Sequence, residues 1–219
     1  MIVVIADLFD AHELAALREA AGRLDYGDGK KTAGRYAREV KSNLQAAPSP
    51  QREAIFAKVR EAMLAHEVVR SVARPRALAR LLLSRYGSGN SYGSHVDDPV
   101  MNGWRTDLSF TLSLSDASAY EGGELVMEDG IEDRAFKLGL GDLVLYPTSA
   151  LHRVAPVLRG ERLAIVGWIT SWVRDPARRE ILHDLDLAAR LIFDEHGKTP
   201  ALDRVFKAKA NLSRMWYDD

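Results

Sequence analysis

The spacing of apolar positions changes twice along the chain and divides it into three parts. A short β-branched run, Ile2 to Ala6, predicts a strand. Asp10 then has the position of an N-cap, with Glu13 three residues on as the reciprocal half of a capping box. Leu14, Leu17, Ala21 and Leu24 follow at helical spacing. Residues 27 to 50, rich in Gly, Lys, Ser and Pro, predict loop or irregular structure. Ser49-Pro50 opens a second helix with proline at the first helical position, and Ile55, Val59, Met63 and Val68 form its apolar stripe.

From about residue 78 the period shortens. Leu81 to Tyr86, Thr106 to Leu114, Glu124 to Met127, Arg134 to Leu138, Leu143 to Tyr146, His152 to Val157 and Leu163 to Trp172 read as short strands separated by Gly-, Asp-, Asn- and Pro-rich turns. Many short strands at near-even spacing predict a sandwich or barrel, with the N-terminal helices packed on one face. Asp175-Pro176 and Thr199-Pro200 each signal a return to helix, the first running to a stop at Gly197 and the second to about Trp216. The expected division is 1–76 as an N-terminal region packing on the core, 77–174 as the β domain, and 175–219 as a helical extension. Apolar residues of that extension (Leu182, Leu185, Leu191, Ile192, Val205 and Phe206) are expected to cover the β core or to meet a second copy of the chain.

Composition narrows the chemistry more than the fold. With 219 residues, 47% hydrophobic and 28% charged, the chain has the make-up of an ordinary globular protein, which excludes a disordered chain or a coiled-coil rod. Thirty Lys and Arg stand against thirty-one Asp and Glu, for a formal net charge of -1, so no charge excess points to nucleic acid or to an anionic membrane. Cysteine is absent, which removes disulfide frameworks, thiolate metal sites and cysteine nucleophiles together. Any metal must be held by His, carboxylate or backbone oxygen. No run approaches the ~20 apolar residues of a membrane span, and the expectation is a cytoplasmic protein.

One segment concentrates the candidate chemistry: Tyr86-Gly-Ser-Gly-Asn-Ser-Tyr92-Gly-Ser-His95-Val-Asp97. On an extended segment residues i and i+2 share a face, so His95 and Asp97 can reach one ion together. His152 comes 55 residues after Asp97, behind the strand and turn Gly141-Asp-Leu-Val-Leu-Tyr146-Pro147. Two histidines and one carboxylate on a β scaffold are the set expected for non-haem Fe(II), and three ligands on one side of an octahedron leave three positions open. Arg162 lies ten residues beyond His152, across a hairpin. Its guanidinium is permanently charged and grips a carboxylate with two parallel hydrogen bonds.

On these residues the sequence resembles the Fe(II)/2-oxoglutarate-dependent dioxygenases, and among them the bacterial PKHD-type hydroxylases of the prolyl 4-hydroxylase-like group. The matching segments are Arg85-Tyr86, Tyr92-Gly-Ser-His95-Val-Asp97, Arg105-Thr-Asp-Leu-Ser109, Leu114-Ser-Asp116, Tyr120-Glu-Gly-Gly-Glu-Leu125, Gly141-Asp-Leu-Val-Leu-Tyr-Pro147, Leu151-His152 and Arg162, with Leu185-Asp186 in the tail. The resemblance implies an α+β fold with a double-stranded β-helix, or jelly-roll, core. It implies Fe(2+) bound by His95, Asp97 and His152, and 2-oxoglutarate chelating the iron, with its 5-carboxylate on Arg162 and a hydrogen bond from Tyr86. It further implies hydroxylation of a small-molecule or amino-acid-type substrate by O2, release of succinate and CO2, and support by L-ascorbate. No catalytic residue is expected beyond the metal site. Animal prolyl hydroxylases place a tyrosine beside the arginine on the strand corresponding to Phe110 to Ser115, and this chain has none there.

Other readings weigh less. A non-redox, cupin-like isomerase or sensor is the alternative, but cupins usually supply more histidines and need no arginine ten residues past the last one. Nucleic-acid demethylases on this scaffold carry a second arginine six residues after the first, where this chain has Trp168. His12, His66, His183 and His196 are expected to be structural or exposed. Asp98 is expected either to accept a hydrogen bond from a ligand imidazole or to open the Asp98-Pro99 turn. Trp104 and Trp168 are read as core or pocket residues, and Arg105 as either a strand brace or a substrate contact.

Overall fold

The computed structural model describes residues 1–6 and 8–218. After β1 (Val3–Ile5), helix α1 (Ala11–Gly22) begins at the expected capping box: the Asp10 carboxylate accepts from the Glu13 amide at 2.8 Å, and the Glu13 carboxylate accepts from the Asp10 amide at 3.2 Å. The stretch expected to be irregular holds three short strands and two 3₁₀ turns. These are β2 (Tyr26–Asp28), β3 (Lys41–Ser42) and β4 (Leu44–Ala46), with the turns at Gly29–Thr32 and Ala37–Val40. Tertiary pairing to long neighbouring strands, not local propensity, makes strands of them. Helix α2 (Pro50–Ala65) starts where Ser49 accepts from the Arg52 amide at 3.1 Å. A separate short helix, α3 (Glu67–Ala73), carries Val68 and was not anticipated.

The β region comprises β5 (Pro75–Tyr86), β6 (Ser91–His95), β7 (Val100–Met101), β8 (Trp104–Arg105), β9 (Leu108–Ser113), β10 (Tyr120–Gly122), β11 (Leu125–Glu128), β12 (Asp133–Phe136), β13 (Leu143–Pro147), β14 (Leu151–Val154), β15 (Val157–Gly160) and β16 (Arg162–Ser171). The run from His152 to Val157 is thus two strands, and β10 was missed. All recorded pairings are antiparallel. They build a seven-stranded sheet in the order β1-β13-β9-β16-β5-β4-β2 and a five-stranded sheet in the order β12-β11-β14-β6-β3, with β10-β15 and β7-β8 as small ribbons. This is an α+β architecture with a jelly-roll core. The N-terminal residues contribute strands to both sheets.

Strand alternation decides what each face of the large sheet does. On β5, Leu81 and Leu83 turn to one side, and on β16 so do Leu163, Ile165 and Ile169. They join Leu14, Leu17, Ile55, Phe56, Val59 and Met63 from the helices in the larger core. Gly167 falls on this same face, where a Cβ would stand 2.5 Å from Leu81 and Phe110, so only a hydrogen fits. The intervening residues Arg80, Leu82, Ser84 and Tyr86 of β5, with Arg162, Val166 and Trp168 of β16, face the small sheet and line the cavity between the two.

Helices α4 (Pro176–His196) and α5 (Pro200–Trp216) begin at Asp175 and Thr199, whose side chains accept from the first-turn amides, and α4 stops at Gly197 with φ +67°. Leu182 and Leu202 are fully buried, while Leu191 and Phe193 are exposed. The tail is tied to the body by polar contacts. Ser71 donates to the Asp186 carboxylate at 2.8 Å, Lys209 donates to its other oxygen at 2.7 Å, and Arg74 pairs with it as well. No described helix is long and apolar enough to cross a membrane.

Candidate metal centre

The two histidines are cross-strand neighbours: His95 on β6 is paired with His152 on β14 in the small sheet. Asp97 follows β6 immediately. One imidazole nitrogen from each histidine and an oxygen of Asp97 lie within 4.8 Å of one another. His95 Nε2 is 3.8 Å from Asp97 Oδ1, and His152 Nε2 is 3.8 Å from Asp97 Oδ2. Two atoms bound to one ion at about 2.1 Å stand at most about 4 Å apart, so an ion held by all three residues would draw ligand atoms that now lie within 4.8 Å of one another slightly closer.

Backbone oxygens set the tautomers. His95 Nδ1 lies 2.8 Å from the Gly93 carbonyl and His152 Nδ1 lies 2.9 Å from the Ala150 carbonyl. A carbonyl only accepts, so each Nδ1 carries a proton, and in the neutral form of each ring the Nε2 lone pair faces the cavity. The expectation that Asp98 serves as that acceptor fails, because the backbone carbonyls two residues before each histidine are already in place. Asp98 instead accepts from the Thr106 hydroxyl through its backbone oxygen at 2.6 Å. Ser109 on β9 donates to Asp97 Oδ2 at 2.8 Å, fixing the carboxylate's rotation from the opposite sheet.

Burial, with the adjacent His152 ring second, pushes the His95 imidazole down to about 4. At neutral pH it is uncharged, as metal ligation requires. Tyr92 stacks on His95 with centroids 3.6 Å apart, and the edge of Tyr146 meets His152 at 5.1 Å. Burial raises the hydroxyls of Tyr86 and Tyr146 above the ordinary tyrosine value, so both remain donors at neutral pH.

Arg162 is paired with Tyr86 across β16 and β5. Only 5% of Arg162 is exposed, its guanidinium carbon lies 5.3 Å from the Tyr86 ring centre, and its Nη1 has no hydrogen-bond partner among the described residues. A buried charge with an orphaned donor is costly unless a ligand supplies an anion. Tyr120, on the ribbon strand β10, lies close enough to Arg162 for the guanidinium to oppose the upward push of burial on its hydroxyl, so a tyrosine from another element stands near the arginine where the strand 110–115 has none. Gly160 permits the approach: it has φ +81°, and a Cβ there would stand 2.3 Å from the Ala119 carbonyl oxygen.

His95, Asp97, His152, Arg162 and Tyr86 thus line one cavity of about 400 Å³. Trp168 also lines it, with an indole N–H that has no partner among the described residues, whereas Trp104 is 41% exposed and outside it. Arg105 braces the structure, donating to the Asp107 carboxylate at 2.8 Å and to the Ser171 carbonyl at 3.1 Å. Of the other histidines, His183 contacts Ser71 Oγ at 2.8 Å and none belongs to the cluster. Sequence reading overlooked Lys41, Asn43, Arg80, Ser109, Tyr120 and Tyr146. Arg80 alone carried a signal, since it shares an alternation face with Tyr86 on β5.

The donor set suits a hard-to-borderline divalent ion with vacant coordination positions, and the orphaned Arg162 suits a carboxylate beside it. Comparison with known proteins agrees. Residues 81–170 match the family model described as the 2OG-Fe(II) oxygenase superfamily. A PKHD-type hydroxylase of Maricaulis maris is 47% identical over 219 residues, covering 100% of both chains, and one of Gloeothece citriformis is 43% identical over 218 residues, covering 99% of both. Among solved structures, a prolyl-4-hydroxylase from Pseudomonas putida superposes with a TM-score of 0.58 at 19% identity, over 78% of this chain and 92% of that one. HygX from Streptomyces hygroscopicus, solved with nickel and 2-oxoglutarate bound, gives 0.57 at 15%, over 78% and 84%. The chain belongs to the 2OG-Fe(II) oxygenase superfamily and within it to the PKHD-type hydroxylases, dioxygenases that depend on Fe(2+) and 2-oxoglutarate.

Proposed function

We infer that this chain hydroxylates a small substrate at the mouth of the His95–Asp97–His152 cluster, consuming O2 and 2-oxoglutarate and releasing succinate and CO2. The observation that carries the reading is the placement, in one cavity, of two imidazoles and a carboxylate beside a buried guanidinium with an unsatisfied donor. When bound, iron and the keto acid supply the oxidising power for C–H hydroxylation. The residues of the chain supply everything else. His95, Asp97 and His152 hold the ion on one side, leaving the cavity side open. Arg162, with Tyr86 and Tyr120 as neighbouring hydroxyl donors, holds the distal carboxylate of 2-oxoglutarate at a fixed distance from the ion. Tyr92, Tyr146 and Val154 form walls that keep water from the reacting atoms. L-ascorbate supports turnover by keeping the iron reduced, and the chain acts in the cytoplasm.

Titration of the anaerobic Fe(II) protein with 2-oxoglutarate tests this. A weak visible charge-transfer band is expected, together with slow succinate formation once air is admitted. His152→Ala should abolish both. Absence of the band and of succinate from the wild-type protein would refute the assignment.

A further inference from the structure

Charge in the cavity is unevenly spent. Four cationic side chains line it (Arg35, Lys41, Arg80 and Arg162) against two carboxylates, Asp97 and Asp98. Asp97 belongs to the ligand cluster and Arg162 to the cosubstrate end, so three cations remain against Asp98. Lys41 is only 4% exposed. Its ammonium donates to Thr32 Oγ1 at 3.1 Å and sits 4.7 Å from the Tyr92 ring centre, and it forms no ion pair among the described residues. Burial and the nearby Arg80 guanidinium hold its proton affinity down, to about 8. Asp97 and Asp28 offset this only in part, so the pair of like charges is unfavourable in the protein alone.

The groups around them are donors too. Asn43, two residues from Lys41, is 4% exposed, and neither its amide nitrogen nor its amide oxygen has a partner among the described residues. Trp168 is the cross-strand partner of Arg80, and its indole N–H is likewise unpaired. Ammonium, guanidinium and indole can only donate, and the Asn43 amide adds two more N–H groups. A wall with this excess of donors and positive charge favours an acceptor-rich, negatively charged group over a neutral or cationic one.

We propose that the substrate carries an oxyanion, a carboxylate or a phosphate, which Lys41 and Arg80 bind with help from the Trp168 indole. This rests on the assignment of the metal and 2-oxoglutarate positions above. The cradle then acts as the specificity determinant. With the anion anchored on β3 and β5, the rest of a small substrate extends toward the His95–His152 face, and its distance from the anion selects the carbon that reacts.

The test uses full-length protein loaded with Zn(II) and saturated with N-oxalylglycine, so that the Arg162 end is filled. Benzoate, phenyl phosphate, benzamide and benzylamine are then titrated as probes and followed by ligand-observed NMR. Benzoate or phenyl phosphate should bind about tenfold or more tightly than benzamide, the preference expected from one charge-assisted hydrogen bond, and benzylamine should not bind. Whichever anion binds more tightly identifies the oxyanion. In Arg80→Gln, a change on a half-buried strand position, the preference should fall about tenfold, and in Lys41→Met it should vanish. Equal binding of benzoate and benzamide to the wild-type protein overturns the proposal, as does retention of the preference in variants that still bind N-oxalylglycine. Failure of N-oxalylglycine to bind the wild-type protein defeats instead the assignment on which the proposal rests.

Discussion

Arg162→Leu separates a structural arginine from a cosubstrate arginine. In the protein alone the guanidinium is 5% exposed and leaves Nη1 without a partner. Its favourable contacts are the Tyr86 face and the Tyr120 hydroxyl, together roughly 2–3 kcal/mol. Against them stands a desolvation penalty of similar size for an unpaired buried charge. Leucine removes both, so the metal-free variant should unfold within about 1 kcal/mol of wild type. The liganded state behaves differently. At about 100 times its Kd, N-oxalylglycine with Zn(II) stabilises wild type by about 2.7 kcal/mol, which raises Tm by roughly 5–11 °C for a chain of this size. Losing two charge-assisted hydrogen bonds weakens binding by at least about a hundredfold, and at the same concentration the increment over Zn(II) alone disappears. Differential scanning calorimetry with and without ligand measures both numbers. A metal-free variant destabilised by more than about 3 kcal/mol would make Arg162 a structural residue, and a surviving ligand shift would remove it from the cosubstrate site.

Three further outcomes follow from particular contacts. Ser109→Ala deletes the hydroxyl that orients Asp97, and metal affinity measured by competition with a chelator should fall roughly 10- to 100-fold with little change in Tm. Gly160→Ala places a Cβ against the Ala119 carbonyl at positive φ, so β10 must shift and Tyr120 with it; N-oxalylglycine should bind more weakly while Zn(II) affinity stays within about twofold. For Lys41 the folded proton affinity is depressed, to about 8 against 10.5 unfolded, chiefly by burial and secondarily by Arg80, while Asp97 and Asp28 oppose the shift. Between those values the unfolded chain binds more protons, so stability should rise with pH across about 8 to 10.5, by an amount on the order of 3 kcal/mol. Chemical denaturation at a series of pH values reads this slope, and Lys41→Met must flatten it; an unchanged slope in the variant would refute the assignment.

Most of the metal cluster was legible because its residues are chemically unusual and sit where strand patterns are clear. The i, i+2 spacing of His95 and Asp97 and the turn before His152 carry the cluster's positions without any tertiary information. The capping boxes and proline starts placed α1, α2, α4 and α5 for a similar reason: a cap is a local hydrogen-bond pattern. The wall made by β3 and its neighbours was not legible. Lys41-Ser-Asn43 lies in a glycine- and lysine-rich stretch with no periodicity; Lys41–Ser42 becomes strand only because β6 supplies ladder partners, and the following β4 only because β5 does. Tyr120 was illegible in another way. The sequence shows that no tyrosine lies on the strand 110–115, but not that a ribbon closing over Gly160 delivers one from ten residues downstream of Phe110.

The division of labour between the sheets links the core to the chemistry. The small sheet carries both histidines as a cross-strand pair, and the large sheet carries Arg162 and Tyr86 as another. On β5 and β16 the same two-residue period that sends Leu81, Leu83, Leu163 and Ile165 into the helix-covered core sends Arg80, Tyr86, Arg162 and Trp168 into the cavity. A slip of one residue on β16 would bury Arg162 among leucines and turn Leu163 toward the metal ligands. Packing against α1 and α2 therefore fixes not only stability but the register of the cavity wall. Each Leu or Ile on the helix side contributes about 1.5–3 kcal/mol against that slip, and their sum exceeds what the few polar contacts in the cavity supply. The polar groups of the site can thus be left partly unsatisfied, as Arg162, Asn43 and Trp168 are, because the apolar face on the other side of the same strands holds them in position.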